Sequence, residues 1–332
     1  MTAPPFADSA SSLIVALAGA GSDPAALDRA RTAATARPID YALGSGESDE
    51  VGLFAGIKPL LRQLLAPAEV DRVRARSLAL GLHVEETVHL DTPGGPSEKG
   101  RVLFIARDPR RARAAAALEG REGHDLEMGL LLGYPRCCLE AYFATPPPRR
   151  NPDVAARAAQ KSRAFYPRLN VLDLAIFHYV SWLPCAFDCA PSRAYADAIA
   201  NHIARRHGQF VGAAPGRAPK TVCPPGCRHQ TFVGAIDAAL SAHRLMLLED
   251  VQVSITGRFD GDSLHVERAW PTARDRHPAV SLSPDALEAA ARASVIIEKA
   301  GIVTVEENVL FANGEPIVAT PDARLFPFGT RS

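Results

Sequence analysis

The chain has 332 residues, 47% of them hydrophobic and 22% charged, which suits a globular protein with a buried core and excludes a disordered, low-complexity polypeptide. Lys+Arg and Asp+Glu both number 37, so no net field draws the whole molecule to nucleic acid or to an anionic membrane. No stretch reaches the roughly 18 apolar residues that span a bilayer.

In chain order, residues 13–21 (LIVALAGAG) form the longest early apolar run; without a basic flank they read as core rather than a signal peptide. Residues 24–36 suit a helix, with Asp23 as its cap and Pro24 in its first turn. Residues 57–80 read as one or two helices broken near Pro67. HVEETVHL at 83–90 alternates like a strand, TPGGPSEKG at 92–100 is turn-rich, RVLFIAR at 101–107 suits a buried strand, and 109–120 a helix. Helices are then expected over 124–132, ended by Gly133, and over 152–164, 171–181, 192–207 and 231–245, with 208–222 a linker.

The pattern changes after residue 245. Two alternating runs flank Asp260-Gly261, and Asn313-Gly314 marks a second turn within 302–319; the 284–300 segment between them is helical. The expected fold class is α+β: a mainly helical body over 1–245 with a short early two-strand element, then a small C-terminal unit, 246–332, of two β-hairpins and a helix.

All six cysteines fall in three pairs: Cys137-Cys138, Cys185 with Cys189, and Cys223 with Cys227. Pro135 places Cys137 and Cys138 in the first turn of a helix, where free N–H groups and the positive end of the macrodipole favour thiolate, the metal ligand and the nucleophile. Adjacent helical residues diverge by about 100°. Cys138 is therefore expected to face the site, and Cys137 to be a second, reactive thiol, a sulfur carrier or redox partner. If 185–189 is helical, Cys185 and Cys189 share one face. Cys223 and Cys227 enclose Pro224, Pro225 and Gly226, a turn that also converges two sulfurs, with His229 close behind.

LGYPRCCLEAYF together with FHYVSWLPCAFDCAPS resembles a prokaryotic family with a Gly-Tyr-Pro-x-Cys-Cys signature and a later Pro-Cys-x-x-x-Cys-x-x-Ser element. The matching positions are Gly133, Tyr134, Pro135, Cys137, Cys138, Pro184, Cys185, Cys189 and Ser192, within 123–198. The resemblance implies that the two segments belong to one site; it implies no reaction, and Cys223 and Cys227 lie outside it.

These residues point to a cytoplasmic, cysteine-ligated metalloprotein. The metal set is Cys138, Cys185, Cys189, Cys223 and Cys227, with an iron–sulfur cluster ahead of zinc and Cys138, Cys185 and Cys189 as the cluster's holders. Catalytic candidates are Cys137, His124 and Glu127, the last two at i and i+3 on one helix face; a small-molecule or sulfur-donor substrate would follow. The alternatives are a metal-free thiol–disulfide enzyme and a zinc-stabilised binding protein for RNA or a protein partner. His178 reads as a core histidine, and the basic runs 107–113 and 205–207 as solvated helix faces.

Overall fold

The computed structural model describes residue 43, residues 48–88, 100–145, 161–171 and 177–205 and, with interruptions, 154–158, 232–241 and 243–326. The expected helix at 24–36 and the Cys223, Cys227 and His229 segment lie outside the described residues.

The body begins with α1 (Ser48–Ala55), β1 (Leu60–Leu65), α2 (Pro67–Ala79), β2 (His83–Val88), β3 (Arg101–Ala106) and α3 (Pro109–Leu118). The strands form an antiparallel sheet in the order β1-β3-β2, with Leu61 opposite Ile105 and Val84 opposite the same residue on the other side. RVLFIA is apolar on both faces because β3 is central and covered twice. Leu103 and Ile105 pack with Leu61, Leu65 and the Val70 and Val73 of α2. Val102, Phe104 and Ala106 pack with Ala112 and Ala115 of α3. Burying a side chain such as Phe104 contributes about 1.5–3 kcal/mol relative to leaving it exposed. Pro67 and Pro109 open their helices, and Asp108 caps α3 by accepting from the Arg110 backbone N–H.

The sequence reading of 57–80 as helix is corrected for 60–65, which are strand. LLRQLL carries leucines at helical spacing, yet edge pairing with β3 satisfies its backbone and buries Leu60, Leu61 and Leu65. The early element is thus three strands, not two.

Next come α4 (Asp125–Leu131) and α5 (Arg136–Phe143). Gly133 has φ +86° between them, and the Tyr134 N–H bonds back to the Gly129 carbonyl at 3.0 Å, closing α4 with a left-handed residue. Helical residues recur within 154–161; a short 3-10 turn covers Pro167–Leu169, and α6 runs Ala190–Arg205. The helix expected over 171–181 is not seen at residues 171 and 177–181. That stretch runs irregularly and is held by side chains: Tyr179 and Val180 are fully buried, and Phe177 meets Tyr179 and Phe232 edge to face.

The C-terminal unit holds β4 (His243–Leu248), β5 (Val251–Asp260), β6 (Ser263–Ala273), α7 (Pro284–Ala300), β7 (Ile302–Glu306), β8 (Val309–Ala312), β9 (Glu315–Pro316) and β10 (Arg324–Phe326). Its antiparallel sheet has the order β10-β4-β5-β6-β7-β8-β9. The α+β class holds, and α7 spans the expected residues. The sheet is larger than two hairpins, and the helix expected to reach residue 245 gives way to β4 at His243, because 243–248 pair along the whole of 251–256. Asn313 and Gly314 take φ 54° and 82°, the left-handed pair that a tight β8–β9 turn requires.

Candidate metal centre

Two helix starts converge on one cluster of sulfurs. At the first, the N–H groups of Cys138 and Leu139 bond to the Pro135 carbonyl, which seats Cys137 and Cys138 in the opening turn of α5. The α5 helix is pressed against α4 because Gly129 has no side chain: a Cβ there would stand 2.4 Å from Leu139 Cδ2. At the second, Cys189 immediately precedes α6, and its carbonyl takes the Arg193 N–H at 2.9 Å. Residues 185–189 are not helical; they form a turn closed by the Cys189 N–H on the Ala186 carbonyl. Cys185 and Cys189 therefore do not share a helix face as expected; a turn brings both sulfurs into the cluster instead.

The ligand atoms of Cys137, Cys138, Cys185 and Cys189 all lie within 4.8 Å of one another, close enough to hold one metal ion. Cys137 Sγ is 4.0 Å from Cys138 Sγ and 3.8 Å from Cys189 Sγ, and Cys138 Sγ is 3.7 Å from Cys189 Sγ. All four are free thiols. Cys138 and Cys189 are buried, Cys185 is half-buried and Cys137 is exposed. The expectation that Cys137 would diverge from the group is corrected. The helix radius is only about 2.3 Å, so adjacent side chains at a helix start still reach a common point just beyond its end.

Hydrogen bonds fix the cluster from behind. Cys138 Sγ accepts the Cys185 backbone N–H at 3.4 Å and lies 3.3 Å from Ser192 Oγ. Trp182 Nε1–H donates to Ser192 Oγ at 3.1 Å. An indole N–H can only donate, so Ser192 accepts from it and keeps its own O–H for the sulfur. Trp182 is in turn held between Tyr134, tilted against it, and Tyr195, edge to face, with ring centroids 5.0 and 4.8 Å away. Below Tyr134, Lys58 Nζ sits 4.6 Å from the ring centroid and 3.0 Å from Asp49 Oδ2, with no solvent exposure. Sequence reading missed Lys58, Asp49 and Trp182; Lys58 and Asp49 lie far along the chain from the cysteines, and Trp182, three residues before Cys185, shows its link to Ser192 only in the folded chain.

Crowded thiols resist ionising together. At Cys138 the contact with Cys185 acts to lower the pKa, but the contact with Cys189 and burial outweigh it and push the thiol up to about 12. Cys185 is raised by its contacts with Cys138 and Cys189, and Cys189 is lowered because the same two neighbours donate to its sulfur. Thiolates crowded this closely repel one another, and a bound cation favours their ionising together. The helix-start preference for thiolate is overridden at Cys138 by this packing.

His124 and Glu127 are exposed and pair with each other, Nδ1 to Oε2 at 2.8 Å, at the start of α4. Neither belongs to the sulfur group. His178 is partly buried in the irregular stretch rather than on a helix. In the 107–113 basic run, Arg107 and Arg111 donate to the Phe54 and Leu131 carbonyls and tie the body together, while Arg110 pairs locally with Asp108 at the exposed start of α3. No described helix is long and apolar enough to cross a membrane.

Compared with family models, curated proteins and solved structures, the chain matches none.

Proposed function

We propose that Cys137, Cys138, Cys185 and Cys189 hold a single metal ion in tetrahedral thiolate coordination, with zinc as the resident metal. The observation that carries this reading is the sulfur spacing. A zinc–sulfur bond is about 2.3 Å, and a regular tetrahedron built on it has edges of about 3.8 Å. Three edges here measure 4.0, 3.8 and 3.7 Å. A polynuclear iron–sulfur cluster, slightly favoured over zinc from the sequence although spacing alone did not decide, spreads its cysteines over two or more irons with at most two on one iron, so three sulfurs all in contact with one another do not suit it. The short edges favour one ion over a cluster. A single iron would also accept four thiolates, and composition analysis separates the two metals.

In this reading the metal clamps the start of α5 to the turn before α6, and the Ser192 and Trp182 hydrogen bonds set the orientation of Cys138. Four reduced thiols suit a reducing compartment, which supports a cytoplasmic location. The metal would neutralise thiolate charge when bound; Cys138, Cys185 and Cys189 anchor it and Cys137 completes a closed set. His124 and Glu127, paired at the surface, are left as a proton-transfer couple only for a substrate that reaches them.

The test is anaerobic purification followed by metal and labile-sulfide analysis of the wild type and of Cys185→Ser. About one zinc per chain without sulfide, reduced in the variant, is expected. Iron with sulfide would replace the single ion by a cluster. A metal-free protein after zinc reconstitution would make paired thiol chemistry the function instead.

A further inference from the structure

The four sulfurs are not equivalent. Cys138 and Cys189 are 2% and 7% exposed, whereas Cys137 faces solvent. Cys138 has two hydrogen-bond partners outside the sulfur group, the Cys185 N–H and Ser192. Among the described residues, the hydrogen-bond contacts of Cys137 are to the sulfurs of Cys138 and Cys189. A hydrogen bond to a thiolate withdraws the lone pair that would attack an electrophile, and burial blocks the approach. Cys138 is quieted on both counts, while Cys137 is the exposed residue of the four and carries no hydrogen bond from the Ser192 side.

Resting on the single-ion reading, we infer that Cys137 is a modification site: a metal-activated thiolate that takes an alkyl group from soft, uncharged alkylating electrophiles while Cys138, Cys185 and Cys189 retain the metal. In the step, the Cys137 sulfur lone pair forms the S–C bond and the C–X bond breaks, with X leaving on its electron pair. No proton moves, because metal coordination has already displaced it from the thiol. The product is a thioether, a neutral and weak donor. One negative charge leaves the site, and a closed four-thiolate centre becomes a three-thiolate centre with an accessible fourth position. The buried residues behind the site, Trp182 and Ser192, do not have to move for this to happen.

The experiment treats the zinc-loaded full chain with limiting iodoacetamide, then denatures it and blocks the remaining thiols with N-ethylmaleimide. Peptide mass spectrometry then reads each cysteine, and native mass spectrometry of an aliquot taken before denaturation reads retained zinc. Among the four, Cys137 is expected to label about tenfold or more faster than Cys138, Cys185 and Cys189, with zinc kept in the singly alkylated protein. Labelling spread evenly over the four, or zinc lost with the first alkyl group, overturns the inference while leaving the metal reading intact. A starting sample that takes up no zinc overturns both.

Discussion

The cysteine body and the C-terminal sheet are ordered by different means. In the sheet, hydrogen bonds between neighbouring strands hold long runs; β5 and β6 pair over residues 251–260 and 263–273, interrupted by one bulge at Thr256/Gly257. Around the sulfurs, residues 177–189 are neither helix nor strand among the described positions. They are held instead by scattered polar links: Tyr166 N–H to the Phe187 carbonyl, Phe187 N–H to Ser162 Oγ, and Arg168 to both Asp197 and Asp237. A region without ladders leans on whatever its side chains bind, so the body, not the sheet, should answer to the metal.

The largest expected effect follows directly. Binding at a structural four-thiolate zinc site is worth roughly 10–16 kcal/mol in small zinc-folded peptides, more than most domains have in total stability. Zinc removal with a chelator is expected to abolish amide protection across 136–143 and 185–205 and to leave 251–273 protected. Hydrogen exchange read by mass spectrometry checks it; loss of protection in both regions together would erase the contrast.

Second is the Lys58–Asp49 pair. Lys58→Met leaves a carboxylate that is only 10% exposed without its counter-charge, and is expected to cost about 3–5 kcal/mol. The double variant with Asp49→Leu should recover most of it. Denaturant unfolding of the two singles and the double measures the coupling, and additive losses would mean the ion pair is not the cause.

Third, Gly133→Ala puts a Cβ 2.6 Å from Pro59 Cδ in a residue held at φ +86°. About 1–3 kcal/mol of backbone strain is expected, read as a lowered melting temperature of the body. An unchanged melt would show that the α4–α5 turn can shift without cost.

Fourth, alkali distinguishes the regions, because all six tyrosines precede residue 200. Burial first, then the nearby Asp237 and Asp49, raises the pKa of Tyr179 and Tyr195. The folded state holds these protons more tightly than the unfolded one. Their contribution is complete below the unfolded value of about 10 and is lost as pH rises above it. Phenolate absorbance from these residues should therefore appear only with unfolding of the body; smooth ionisation at constant helicity would contradict their burial. The smallest effect is expected at the exposed Arg292–Glu288 pair of α7, where Glu288→Gln should change stability by about 0.5 kcal/mol or less.

The sheet was the more legible half. Alternation and the Asn313-Gly314 turn are local signals, and α7 carries its own amphipathic pattern. The body hid more. LLRQLL looks helical by spacing alone, and only the arrival of β3 makes it a strand. The apolar run near Tyr179 also looks helical, but its partners lie at Phe232 and Val233, far along the chain. For the site, the cysteine types and the two converging segments could be read from the residues. The membership of Cys137 could not, because it depends on how far α5 is tilted toward α6. Ser192 stood in the recognised motif, but its link to Trp182 needed coordinates.

The site is built from two segments 51 residues apart, and this sets an order for its birth. Cys137 and Cys138 leave the ribosome first and wait for Cys189. At roughly 5–20 residues per second, that interval lasts about 3–10 s. During it a nascent chain carries two adjacent thiols with no partners to close around an ion. Slow translation through this stretch lengthens the exposure, and a cell short of metal prolongs it further.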